Sequence, residues 1–132
     1  MGEEEFKRVK NLARFESVNL NLADRYYADA LYEVYLLKHD FPDNRFLDLS
    51  FVKCLYGLAK YKNAGRYNEV TRKLKKVEGE SYVLHSFLKE ISKEQLNVIT
   101  YRHLYDMTQK YPNDGIFQEY MDDFQKEFAL NS

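Results

Sequence analysis

A chain of 132 residues, 45% apolar and 31% charged, can build one domain with its own core and is too apolar to remain unfolded. Its formal charge of −1 gives no general pull toward nucleic acid or anionic lipid, and its one cysteine, Cys54, can close no internal disulfide. No apolar run approaches the roughly 20 residues that span a bilayer, and the opening "MGEEEFKRVK" lacks the apolar centre of a signal peptide.

The first predicted helix runs from Glu5 to Leu22 and is apolar on two sides. Phe6, Val9 and Ala13 line one side, and Leu12, Phe15 and Leu22 line another, as in a helix sandwiched between neighbours. Either it frames a groove or some other part of a longer protein covers it. After a break at "ADRY", Tyr27, Ala30, Leu31, Val34 and Leu37 recur at three- and four-residue steps and predict a second helix from about Tyr26 to Lys38. Pro42 stops it, because proline cannot continue a helix and turns Phe41 away from helical angles. Asp43 or Asn44 then caps the next helix.

That third helix, Arg45 to Asn63, is apolar nearly all round and is expected to be the most buried. Gly65 ends it, and "RYNEVTRKLKKVEG" predicts a fourth helix with Tyr67, Val70, Leu74 and Val77 inward, closed by Gly79. A short fifth helix follows from about Ser81 to Ile91. Ser92 and Gln95 have capping-box spacing for a sixth, Lys93 to Lys110, which stops at Pro112. Asn113 or Asp114 starts the seventh, whose Phe117, Tyr120, Met121, Phe124 and Phe128 share one face while Glu119, Asp122 and Asp123 share the other. Twelve tyrosines and nine phenylalanines without a tryptophan read as core filler rather than as a stacking surface.

The mark "FPDN" at Phe41–Asn44 returns as "YPND" at Tyr111–Asp114. Ala30, Val34 and Leu37 stand twelve, eight and five residues before Pro42, and Thr100, Leu104 and Met107 stand at the same distances before Pro112. This spacing resembles the second helix of a tetratricopeptide repeat, whose unit is about 34 residues. Gly65, Tyr67, Val70, Leu74 and Val77 resemble the other half of that signature, although the third helix is long, Val70 is not small and no proline follows Val77. The resemblance implies an all-α, right-handed superhelical stack of antiparallel helix hairpins, about seven helices in one domain over residues 1–132, cut from a larger protein. A generic irregular helical bundle is the competing fold.

A second resemblance rests on "FKRVKNLARFESVNL", "YYADALYEVYLLKHDFPDN" and "CLYGLAKYKN". These are similar to the helical tail of bacterial HtpX-like, CAAX-protease-like zinc metallopeptidases. The family's catalytic HExxH is missing here, so this resemblance implies a non-catalytic C-terminal portion of such an enzyme.

No chemistry of its own is predicted for the chain: no catalytic residue, no metal and no cofactor. His39, His85 and His103 share no ligand spacing, and no Cys-x-x-Cys or His-x-x-x-His occurs. Cys54, in the most apolar helix, reads as a buried small hydrophobe. Asp122 and Asp123 fall on a wet face, and the run Arg72, Lys73, Lys75 and Lys76 spreads over a solvated one. What is left is a surface. The tetratricopeptide resemblance implies a concave groove lined by the first helix of each hairpin, with Asn19, Leu55, Lys62 and Asn63 as partner-binding candidates. Two function classes stand, a protein–protein interaction module and an accessory domain of a zinc peptidase. The first expects a cytoplasmic chain and the second an envelope or periplasmic one. The accessory class also expects Phe6, Val9 and Ala13 to be exposed as an orphaned interface. The expected partner is a protein or peptide, or another domain of the same parent. Homodimerisation through the first helix is a further expectation. A glycan held by tyrosines needs several exposed aromatics in one concavity, and the spacing places most of them inside.

Overall fold

The computed structural model describes residues 2–66 and 79–128. Among them are six helices and no strand: α1 (Glu3–Ala23), α2 (Tyr27–Asp40), α3 (Arg45–Asn63), α4 (Gly79–Glu90), α5 (Lys93–Lys110) and α6 (Gly115–Phe128). The helix expected over "RYNEVTRKLKKVEG", and with it the middle repeat unit from Tyr67 to Val77, lies outside the described residues. α4 starts at Gly79, which was expected to close that helix. α3 and α5 have the bounds that the sequence predicts, and α1 runs two residues further at its start and one at its end.

The helices pack in a chain of neighbours: α1 on α2, α2 on α3, α3 on α5, α5 on α6. Lighter contacts join α1 to α3, α3 to α6 and α2 to α4. α5 therefore lies directly on α3, although α4 intervenes in sequence. The end of α5 meets the start of α3, so the two are antiparallel, whereas α6 runs alongside α3 in the same direction.

The two proline turns are built alike. Phe41 and Tyr111 have φ/ψ of −133°/67° and −124°/63°, and each donates its N–H to the carbonyl four residues back, Leu37 and Met107. Asn44 and Asp114 then donate their N–H groups to Phe41 and Tyr111. In the first turn the Asn44 side chain caps α3 by accepting from the Leu47 N–H at 3.1 Å. The helices before the turns match as well. Ala30, Val34 and Leu37 are buried, and so are Thr100, Leu104 and Met107. Thr100 can stand where Ala30 stands because its hydroxyl is satisfied within its own helix, donating to the Leu96 carbonyl at 2.8 Å.

Most of the core lies between α2, α3, α5 and α6, with Val52, Leu58, Leu96, Leu104, Phe117 and Phe124 essentially sealed. A smaller cluster joins Val18 of α1 to Val34, Leu37 and Leu47, roofed by Phe15 between Phe41 and Phe46 at 5.6 Å from each.

Polar latches hold α3 to α5 at both ends. At one end the fully buried Asp48 carboxylate accepts from Lys38 (2.6 Å), Lys110 (2.9 Å) and the Tyr111 hydroxyl (2.6 Å). Burial alone drives its pKa up, but those three hydrogen bonds outweigh it and hold the carboxylate below its usual range. Arg45 adds an ion pair to Asp114, so the two turns are clipped side by side. At the other end Asn63 and Asn97 exchange amide hydrogen bonds at 2.7 and 3.1 Å. The Ser92–Gln95 capping box forms as the spacing predicts, and opens α5.

Two helices close with the same motif but different residues. After α1, Tyr26 donates to Asn21 and Arg25 to Leu22; after α3, Arg66 donates to Tyr61 and Gly65 to Lys62. Both are Schellman ends, which place one residue in the left-handed region. Gly65 (φ 72°) suits that position, whereas Arg25 (φ 64°) is strained there.

Candidate functional site

A groove opens where α1, α3 and α6 lie alongside one another. Its volume is about 470 Å³. α1 supplies Asn19, Leu22 and Ala23 to it, α3 supplies Lys53, Tyr56, Gly57 and Lys60, and α6 supplies Tyr120, with Tyr27 at the start of α2. The α3 residues lie three and four positions apart, so they share one helix face.

Gly57 shapes the floor. A Cβ there would stand 2.5 Å from the Tyr27 ring, so the missing side chain lets that ring lie flat on α3. Tyr56 meets Tyr120 edge-on at 5.7 Å and donates its hydroxyl to Glu127 at 2.8 Å. Burial and the Glu127 carboxylate both raise its pKa, so the phenol stays a protonated donor. Burial likewise raises Tyr27 and Tyr120. Lys53 and Lys60 are exposed on the same face, and the groove continues past Lys60 to Arg25 and Tyr61. The arrangement offers aromatic walls, two ammonium groups and the Asn19 amide. It can hold a peptide segment by stacking, charge and hydrogen bonding.

Of the four candidates from sequence, Asn19 lies in the groove. Leu55 is a core residue, 3% exposed, because it projects from the side of α3 turned away from Lys53 and Gly57. Lys62 reaches to α4, donating to the carbonyls of Leu88 (2.6 Å) and Lys89 (3.1 Å) at that helix's C-terminal end, where a cation is favoured. Asn63 is engaged with Asn97. Sequence reasoning missed Tyr27, Lys53, Tyr56, Lys60 and Tyr120. A usable signal was present in α3: Lys53, Gly57 and Lys60 interrupt the apolar pattern at helical spacing.

Cys54 is fully buried and its thiol is pushed far up by desolvation, so it sits there as a small hydrophobe. His103 packs on Phe51 at 4.4 Å, its Nε2 buried without a hydrogen-bond partner. Burial first, and then Lys38, lower its pKa to about 4, so the ring is neutral at pH 7. Among the described residues no cluster of His, Cys, Asp and Glu could hold a metal ion, and no helix is long and apolar enough to cross a membrane.

Comparison with protein-family models, curated proteins and solved structures gives no match to this chain.

Proposed function

We propose that this chain is a non-catalytic protein–protein interaction module of tetratricopeptide-like helix hairpins, which holds a partner segment in the groove between α1, α3 and α6. One observation carries the reading: the groove is lined mainly by α1, α3 and α6, with Tyr27 at the very start of α2 as the one lining residue from a proline-ended helix and none from α5. That is where the tetratricopeptide resemblance puts a ligand surface. The repeated turn geometry at Phe41 and Tyr111 supports the same reading. The mechanism is shape and local chemistry: clipped hairpins hold the groove open, and a partner buries the tyrosine faces while its polar groups meet Asn19, Lys53 and Lys60.

Loss of binding in a groove variant that keeps its fold tests this. Lys53→Glu with Lys60→Glu reverses the charge of two exposed side chains and leaves the core untouched.

A second reading has its own observation. Phe6 and Val9 are 61% and 47% exposed, and Ala13 is exposed beside them, as an accessory domain of a zinc metallopeptidase would require if a catalytic domain covered α1. Sequencing the gene on either side of this chain for an HExxH-bearing domain tests that reading.

A further inference from the structure

The groove between α1, α3 and α6 runs on into a smaller cavity of about 370 Å³, and the two share Tyr27 and Lys60. Four cations line them, Lys53, Lys60, Arg25 and Arg66, and no acid is among the described lining residues. The chain as a whole has 21 acids to 20 lysines and arginines, so this is a local departure from its balance. Arg25, Lys53 and Lys60 are exposed, and no ion pair ties them to an acid among the described residues. Arg25 adds an independent observation. Its φ of 64° suits glycine, as at Gly65 after α3, and strains an arginine. Its side chain lines the smaller cavity and donates to the Tyr61 hydroxyl at 3.2 Å, while Arg66 lies over the same ring at 5.5 Å. A strained residue whose side chain lines a cavity points to use of that cavity.

We propose, resting on the reading of this groove as a partner site, that the segment it holds is acidic: an extended peptide whose Asp or Glu side chains run past Lys53 and Lys60 to Arg25. Lys53 and Lys60 stand about 10 Å apart along the axis of α3. An extended, polyproline-type segment brings every third side chain to one side at intervals of about 9 Å, so acids three residues apart meet both lysines. Tyr27 and Tyr61 lie between the cations and take the apolar parts of the segment. The opposite edge of the groove is acidic. There Tyr56 donates to Glu127, and Asp123 lies near both Tyr56 and Tyr120. That edge turns an acidic side chain toward α3 and repels a strand with a phosphate at every residue, so charge favours a peptide over a nucleic acid.

Fluorescence anisotropy with labelled, C-terminally amidated peptides of about ten residues tests the proposal. One peptide carries Glu at every third position among Pro, Ala and Tyr, a second carries Gln in place of each Glu, and an oligothymidylate of similar length stands beside them. The Glu peptide is expected to bind on the order of tenfold more tightly than the Gln peptide at low salt, and the difference to shrink as salt is raised. Arg25→Gly and Lys53→Gln should each weaken the Glu peptide about threefold and leave the Gln peptide unchanged. Glycine relieves the strain at position 25, so weaker binding by Arg25→Gly would not reflect a lost fold. Equal binding of the two peptides overturns the acidic preference and leaves the groove reading standing. No binding of either peptide at about 1 mM overturns both. Tighter binding of the oligothymidylate than of the Glu peptide overturns the proposal in favour of a nucleic acid.

Discussion

The Tyr111 hydroxyl donates to the Asp48 carboxylate at 2.6 Å, across 63 residues of sequence, and so ties the second proline turn to the helix that leaves the first. Asp48 is sealed from solvent while Lys38 and Lys110 are partly wet, so the cations can relax into water when the acid is removed, but the site cannot easily be refilled. Asp48→Ala is expected to cost about 3 kcal/mol of unfolding free energy. Tyr111→Phe, which removes one neutral donor, should cost about 1 kcal/mol. Urea denaturation at pH 7 of both variants checks the order.

Two titrations should appear in separate pH windows. His103 has a folded pKa of about 4 against about 6.5 unfolded, so the unfolded chain takes up the proton first. Its contribution is complete above about pH 6.5 and is lost as pH falls toward 4, on the order of 2–3 kcal/mol. Asp48 is shifted the opposite way from its burial, to a lowered pKa, so its contribution is present above the unfolded value of about 3.9 and is lost only at lower pH. His103→Gln should flatten the stability profile between pH 6.5 and 4 and leave the steeper acid limb in place. Denaturation midpoints across that range are the measurement.

Arg25 occupies a left-handed position that Gly65 occupies at the other Schellman end. Its side chain makes an exposed hydrogen bond to the Tyr61 hydroxyl at 3.2 Å, which offsets little of that strain. Arg25→Gly should therefore stabilise the chain by about 1 kcal/mol, and Gly65→Ala should destabilise it by a similar amount. Thermal unfolding of the pair would show the opposite signs.

Gly57→Ala sets helix propensity against groove shape. Alanine favours the helix by about 1 kcal/mol, but its Cβ displaces the Tyr27 ring. The expected outcome is a stability change smaller than about 1 kcal/mol with a clear shift of the Tyr27 ring resonances. If Tyr27 is unmoved, the groove floor does not depend on that glycine.

The turns and caps were legible because their chemistry is local. Proline at 42 and 112, Asn44 before α3 and Ser92 with Gln95 each act on backbone groups within a few residues. The groove was not legible in the same way. Whether Leu55 or Lys53 faces the groove depends on which side of α3 meets α2 and α5, and that is decided by contacts far apart in sequence. Asp48 gives no sign of its role for the same reason: nothing within a few residues of it marks an acid in a first helical turn as buried. Only the arrival of Lys110 and Tyr111 makes it a buried latch. Asn19, a candidate by the tetratricopeptide resemblance and not by the pattern of α1, lines the groove.

The proposed hold on a partner segment between α1, α3 and α6 is open to direct test. The most direct test immobilises the wild-type chain, the Lys53→Glu/Lys60→Glu variant, and an outside control, Tyr105→Ser on the exposed side of α5, and compares the proteins that each retains from source lysate. The expected result is one discrete partner that the control keeps and the groove variant loses, all three chains having the same circular dichroism. Equal retention by all three chains, or loss in the control alone, would contradict it.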